Sequence, residues 1–364
     1  MKRLSTMVLA ASLLAGTAFA QAPDDSTLVI AQSTDASTFD PANISSRTTS
    51  NIAEHIFGTL YNVTADGEVV PSLAESSTVS EDGQTVTFKL KEGLTGHDGE
   101  ALTAEDVAYS FNRAADPALK FTGNTPGFIF SSIGFEEAIA EADLTVSLKL
   151  KNRSKILLGM IGEVRIHCKD SYEAMSLEEA AQKPIGSGPY KFVEWVRDDR
   201  VVLEKWDDYT VEPGTFDTLV WRVIPETSTR AAELMAGNVD VITNVAPDQI
   251  DAINGSGQAE VVPVAGTRRI YVGFNQKEKF SDTPGGKAIK DPAVRHALQY
   301  AVDIPTICES LLGTPCKRAT SLVNPPRGNP DLVPYPYDPD KAEELLDAAG
   351  YPRGEDGVRF SLKL

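Results

Sequence analysis

The chain is short of the residues from which most reactive centres are made. Its 364 residues include four histidines and three cysteines. His55, His97, His167 and His296 are dispersed, with no His-x-His or His-Glu-x-x-His spacing that would set two metal ligands on one face. Each reads as a surface or packed histidine. No phosphate-cradling glycine loop occurs. Gly186-Ser187-Gly188-Pro189 has a serine between glycines, but proline follows where a nucleophile turn would enter its helix. Glu178-Glu179 and Glu343-Glu344 are adjacent on helical stretches and face different directions, so they are solvated charge. A hydrolase needs a nucleophile with a partner or an acid–base pair, and none is visible. These absences argue against an enzyme, a metal site and a cofactor.

Positive charge is also in deficit. Asp and Glu number 52 against 34 Lys and Arg, a formal net charge of −18. Such acidity argues against nucleic acid or an anionic membrane as a partner. It says little about a small ligand.

Long apolar runs are absent beyond the first twenty residues. There, Lys2 and Arg3 precede a mostly apolar stretch from Met7 to Phe19, and Ala18-Phe19-Ala20 supplies the small residues of a cleavage site. The stretch falls short of the roughly 20 residues a spanning helix requires. Gln21-Ala22-Pro23-Asp24 follows without a basic stop signal. Residues 1–20 are therefore expected to be a cleaved export signal. No cysteine follows the small residues, so no lipid anchor is expected. The remaining chain, about 340 residues, exceeds the size at which one core usually divides, so two lobes are expected.

In an exported chain, a close cysteine pair points to a disulfide. Cys308 lies late in a helical stretch. Gly313 can end that helix and Pro315 prevents its continuation, which would return Cys316 to Cys308. Two reduced thiols are the alternative. Cys168 is left over and reads as buried.

The pattern along the chain is mixed α/β. Leu28–Ala31 suits a buried strand, and Ser45–Tyr61 reads as a helix with Ile52, Ile56 and Leu60 on one face. Thr85–Leu90 and Thr145–Leu150 alternate like half-buried strands that can pair. Thr103 with Asp106 forms a capping-box pattern ahead of Val107, Phe111 and Ala114. Thr229–Ala236 is helical up to Gly237, with the strand-like Val239–Ile242 behind it. Asp291-Pro292 and Asp338-Pro339 each set an N-cap before a first-turn proline. Leu322–Tyr337 is a proline-rich surface loop. Val358–Leu364 alternates like a new strand with nothing after it to pair with, so the chain reads as truncated.

The run Thr85–Arg113, T-V-T-F-K-L-K-E-G-L-T-G-H-D-G-E-A-L-T-A-E-D-V-A-Y-S-F-N-R, resembles the signature of the family-five extracellular solute-binding proteins. These are the oligopeptide, dipeptide and nickel-binding components of ATP-driven importers. Further matches follow in the family's order at Ile185–Tyr190, Trp206–Tyr209, Ala231–Val241, Tyr271–Asn275 and Asp291–Leu298. Trp206–Tyr209 departs from the family pattern in lacking its asparagine and final tryptophan. The resemblance covers residues 26–364.

It implies a periplasmic-binding-protein-like (type II) α/β fold of two lobes, the second incomplete. Residues 23–62 and 184–275 would carry the main sheet of the first lobe, 63–183 an inserted subdomain, and 276–364 a partial second lobe. It also implies a periplasmic monomer that captures a peptide or peptide-like solute and delivers it to a membrane permease, without a cofactor. A sugar, opine or chelated metal stays open as the solute, as does a non-functional fragment. In the family the loop after the first strand lines the ligand cleft, which maps here to Ser33, Asp35, Ser37, Thr38 and Phe39. The alternative is a turn whose Asp and Ser side chains bond their own backbone. Arg268 is a candidate for a ligand carboxylate, Tyr271, Phe274 and Asn275 fit the crossover strand, and Phe128 lies where the family can contact ligand. Each of these is also open to a solvated or packing role.

Overall fold

The computed structural model describes residues 26–264, 266, 269–312, 316–323 and 328–362. The export signal read at residues 1–20 lies outside them. Residues up to Asn244 form one compact unit and those from Val245 onward another. The described residues of 245–275 fall in the second of these units.

The first unit carries β1 (Thr27–Gln32), β2 (Tyr61–Val63), β3 (Val69–Pro71), β4 (Ala74–Val79), β5 (Thr85–Leu90), β6 (Phe135–Ala142), β7 (Thr145–Leu150), β8 (Tyr190–Val196), β9 (Arg200–Lys205), β10 (Thr218–Val223) and β11 (Val241–Ile242). They form a five-stranded sheet in the order β11-β1-β10-β9-β8, a four-stranded sheet in the order β4-β5-β7-β6, and the hairpin β2-β3. β1 runs parallel to β10, with Gln32 opposite Val223, and parallel to β11, with Ala31 opposite Ile242. β9 is antiparallel to β10 and β8 antiparallel to β9, so β8 points the same way as β1.

The alternation at Thr85 and Thr145 does pair: Val86 faces Leu148 and Phe88 faces Val146. Those four side chains are buried with Phe111 in the core of the four-stranded sheet. Helix α1 (Arg47–Ile56) starts at Ser46, whose side chain accepts from the Thr49 amide. It is shorter than expected, because Phe57 turns extended and Gly58 pairs with Ile166. A Cβ on Gly58 would stand 2.8 Å from Leu73 Cδ1 and 3.0 Å from the Ser187 carbonyl, so the chain passes too close for a helix to continue. Ile52, Ala53 and Ile56 join Ile30, Phe39 and Trp221 in a second core against the five-stranded sheet. Helix α2 (Ala104–Ala115) opens on the expected capping box, with the Thr103 amide donating to Asp106 Oδ2 at 2.8 Å.

In the second unit, Pro292–Tyr300 and Pro339–Ala348 are helices capped by Asp291 and Asp338. They bury Val294, Ala297 and Leu346 with Ala288. Tyr271–Asn275 forms no strand, and neither does the described part of Val358–Leu364. The reason is the same for both: among the described residues no neighbouring strand supplies ladder hydrogen bonds. Phe360 instead packs its ring on Tyr351, 5.5 Å between centroids.

Cys308 and Cys316 are joined as a disulfide, while Cys168 is free and buried. The helix Ile304–Ile307 leads into a wider-turned segment, Cys308–Leu312. Reducing the bond is expected to lower the stability of the second unit by about 2.5 kcal/mol, the loop-entropy value for so short a separation. Urea unfolding with and without reductant measures it.

Candidate functional site

Open α/β sheets bind ligands outside the carboxyl ends of their parallel strands. In the five-stranded sheet, the carboxyl ends of β1, β8, β10 and β11 share one edge. Four segments emerge there: the loop from Ser33, the turn Arg197–Asp199, Ile224–Glu226, and Thr243–Asn244.

The loop after β1 is held at several points. Both Asp35 carboxylate oxygens accept from Trp195 Nε1, at 2.9 and 3.1 Å, and Oδ2 also accepts from the Asp198 amide at 2.9 Å. The Ser37 amide donates to Thr49 Oγ1 at 3.0 Å, and Thr34 Oγ1 to Thr48 Oγ1 at 3.0 Å, so the start of α1 serves as a brace. Phe39 is fully buried, its ring 4.8 Å from Trp195 and 5.8 Å from Phe192, and its amide donates to the Ala181 carbonyl. Asp40 is buried against Arg113 of α2, at 2.6 and 3.0 Å. Ser33 and Thr38 remain half-buried, and Thr34 and Ser37 exposed. The loop thus presents a rim of hydroxyls on a rigid base.

The other sequence candidates are spread more widely. Phe128 is 66% exposed, on the segment Thr125–Ile129. That segment is stitched to the same loop, since the Thr122 amide donates to Asn43 Oδ1 and the Asn124 amide to the Ile44 carbonyl. Tyr271 is 69% exposed, Phe274 half-buried and Asn275 exposed, all in the second unit. Arg268 lies outside the described residues.

Several groups at the edge escape sequence reasoning. Arg230 is 1% exposed and donates through Nη1 to the carbonyls of Ile224 and Pro225, at 2.6 and 2.8 Å, and through Nη2 to that of Asn244. It ties together the loops after β10 and β11. Gln32 donates to the Thr34 carbonyl at 3.0 Å, while its Oε1 is buried without a protein partner. Neither contact has a sequence signature; Arg230 reads only as one more helical position.

Ser187 is accounted for structurally: it donates to the Ile166 carbonyl at 2.7 Å and accepts from the Gly58 amide. His97 braces the same turn, donating through Nε2 to the Gly188 carbonyl at 2.9 Å while Nδ1 accepts from the Gly186 amide at 3.2 Å. Burial holds its imidazole down at about 4. Burial, with the Arg113 charge adding to it, holds His167 at about 3, and burial pushes the Cys168 thiol up. Among the described residues no group of three or more His, Cys, Asp or Glu is arranged to hold a metal, and no helix is long and apolar enough to cross a membrane.

The glutathione-binding protein GsiB of Escherichia coli (strain K12) is 29% identical over 358 residues, covering 96% of this chain and 66% of that protein. The chain thus spans about two thirds of the length of its curated relatives. HbpA2 from Haemophilus parasuis superposes with a TM-score of 0.77 at 27% identity, over 90% of this chain and 68% of that one. The oligopeptide-binding protein AppA from Bacillus subtilis, solved with a nonapeptide, gives 0.71 at 26% identity, over 89% and 64%. The fold class is that of these binding proteins. Residues 68–364 match the model for bacterial extracellular solute-binding proteins, family 5. The chain belongs to that family.

Proposed function

We propose that this chain is the periplasmic substrate-binding component of an ABC importer, capturing a peptide or peptide-like solute and passing it to a membrane permease. The observation that carries the reading is the braced loop Ser33–Asp40 at the carboxyl edge of the parallel strands. Its buried side chains fix the backbone, while Ser33, Thr34, Ser37 and Thr38 offer short polar groups suited to peptide main chain. Phe128, Arg268, Tyr271, Phe274 and Asn275 are the further contacts proposed. Relatives named for glutathione and oligopeptide binding support a peptide class of solute. The protein acts as an exported, unanchored monomer, and binding involves no covalent step.

Isothermal titration with glutathione and a panel of di- to pentapeptides tests this. Saturable binding of at least one member, recovered intact by mass spectrometry, is the expected result. At a ligand concentration of 100 Kd, bound protein should gain about 2.7 kcal/mol in unfolding stability. Turnover of the peptide, or binding only of a sugar, opine or chelated metal, would overturn the peptide reading.

A further inference from the structure

We propose that Arg197 is an anion-recognition residue of the candidate site, taking a carboxylate of the bound solute. This rests on the function proposed above and names a chemical feature of its ligand. Arg197 lies in the turn between β8 and β9, at the edge where the Ser33 loop emerges, and Asp35 links the two through Trp195 and the Asp198 amide. Its guanidinium lies over the Trp195 ring, 3.6 Å from the centroid. Trp195 is itself fixed on both sides that matter: its Nε1 donates to Asp35, and its ring meets buried Phe39 edge-on. The order of dependence is therefore a core phenylalanine, a fixed indole, and a guanidinium held over its face.

That arrangement differs from the neighbouring arginine. Arg200, at the far side of the turn, is neutralised by Glu194 and Asp199. Arg197 is exposed and makes no ion pair among the described residues. Stacking on an aromatic face leaves the in-plane donors of a guanidinium free and limits its rotamers in advance, so less entropy is lost when a carboxylate binds in the fork. The turn also holds Asp198 and Asp199, and Asp35 lies behind it, so the general field there does not attract anions. A carboxylate gains from Arg197 only by direct, bidentate contact.

The test compares wild-type protein with Arg197→Met, which keeps an unbranched side chain over Trp195, and with Arg197→Lys. Each is titrated with glutathione, its diethyl ester, and the peptides of the panel above as free acids and as C-terminal amides. Wild type should bind the acid about tenfold or more tightly than the uncharged form. Arg197→Met should bind both forms alike, Arg197→Lys should fall between, and all three should melt at the same temperature. Equal preference in wild type and Arg197→Met overturns the assignment while leaving the binding function in place. Absence of binding by wild type across every probe overturns the function and this assignment together.

Discussion

Asp40→Ala is expected to destabilise the first unit by about 3–5 kcal/mol, the range for removing one partner of a buried ion pair. Asp40 and Arg113 are 1% and 5% exposed at their side chains. The carboxylate takes both Nη atoms of Arg113 and also accepts from the Ala42 amide at 3.0 Å. Without it, a guanidinium stays buried between the rings of Phe121 and Tyr172, 4.8 and 5.2 Å away, with no anion to balance it. The pair joins two cores: Asp40 belongs to the loop after β1, and Arg113 to the helix packed on the four-stranded sheet. Breaking it should also loosen the hydroxyl rim and weaken ligand binding. Arg113→Met alone strands the carboxylate instead. The double variant should be less damaged than the sum of the two singles, because neither buried charge is left. Chemical denaturation followed by tryptophan fluorescence reads all three. A loss below about 1 kcal/mol for Asp40→Ala would place this pair with surface bridges instead.

Local elements were legible because their signals are local. The Thr103–Asp106 box, the alternation of Thr85–Leu90 and Thr145–Leu150, and the Asp-Pro helix starts act within one or two turns of chain. The limits of α1 were not, since its end is set by Gly58 running against Leu73 and Ser187, residues far off in sequence. The strands expected at Tyr271–Asn275 from the resemblance and at Val358–Leu364 from alternation show the converse. Alternation marks a segment fit to be a strand, but the ladder needs a second segment that pattern cannot supply. At the site, the loop Ser33–Asp40 was found through its resemblance and its position after β1. The groups that hold it, Trp195, Arg113 and Ala181, stand 73 to 160 residues away and carry no motif. An aspartate in a loop looks the same whether it caps its own turn or pairs across two cores. Asp35 and Asp40 do both: each accepts from a backbone amide of its own turn, Ala36 and Ala42, and each also holds a distant partner, Trp195 with the Asp198 amide for Asp35 and Arg113 for Asp40.

The histidines lead to the second large effect, a loss of stability in mild acid. His97 and His167 are neutral in the fold, at about 4 and about 3, against an ordinary value of 6.5. His55 is lowered as well, chiefly by burial. An unfolded chain takes up protons on these rings near pH 6.5, while the folded chain resists until far lower pH. Their contribution is therefore fully present above pH 6.5 and is lost as pH falls from there toward 4. Each ring fully in this state costs about 1.4 kcal/mol per pH unit. His97 is half-buried, so its share is smaller than that limit. The geometry gives each a separate reason. Protonating His97 abolishes the bond its Nδ1 accepts from Gly186 and puts a charge inside the turn that α1 packs upon. Protonating His167 places a second cation beside Arg113, in a site where its Nδ1 already donates to the Arg165 carbonyl and Nε2 has no protein partner. Unfolding free energy measured between pH 7.5 and 4.5 should fall steeply below 6.5 in wild type. His167→Gln should flatten that slope by up to about 1.4 kcal/mol per pH unit, at the cost of some stability at neutral pH. A slope unchanged in both His97→Gln and His167→Gln would mean that carboxylates, not these imidazoles, govern the acid limb.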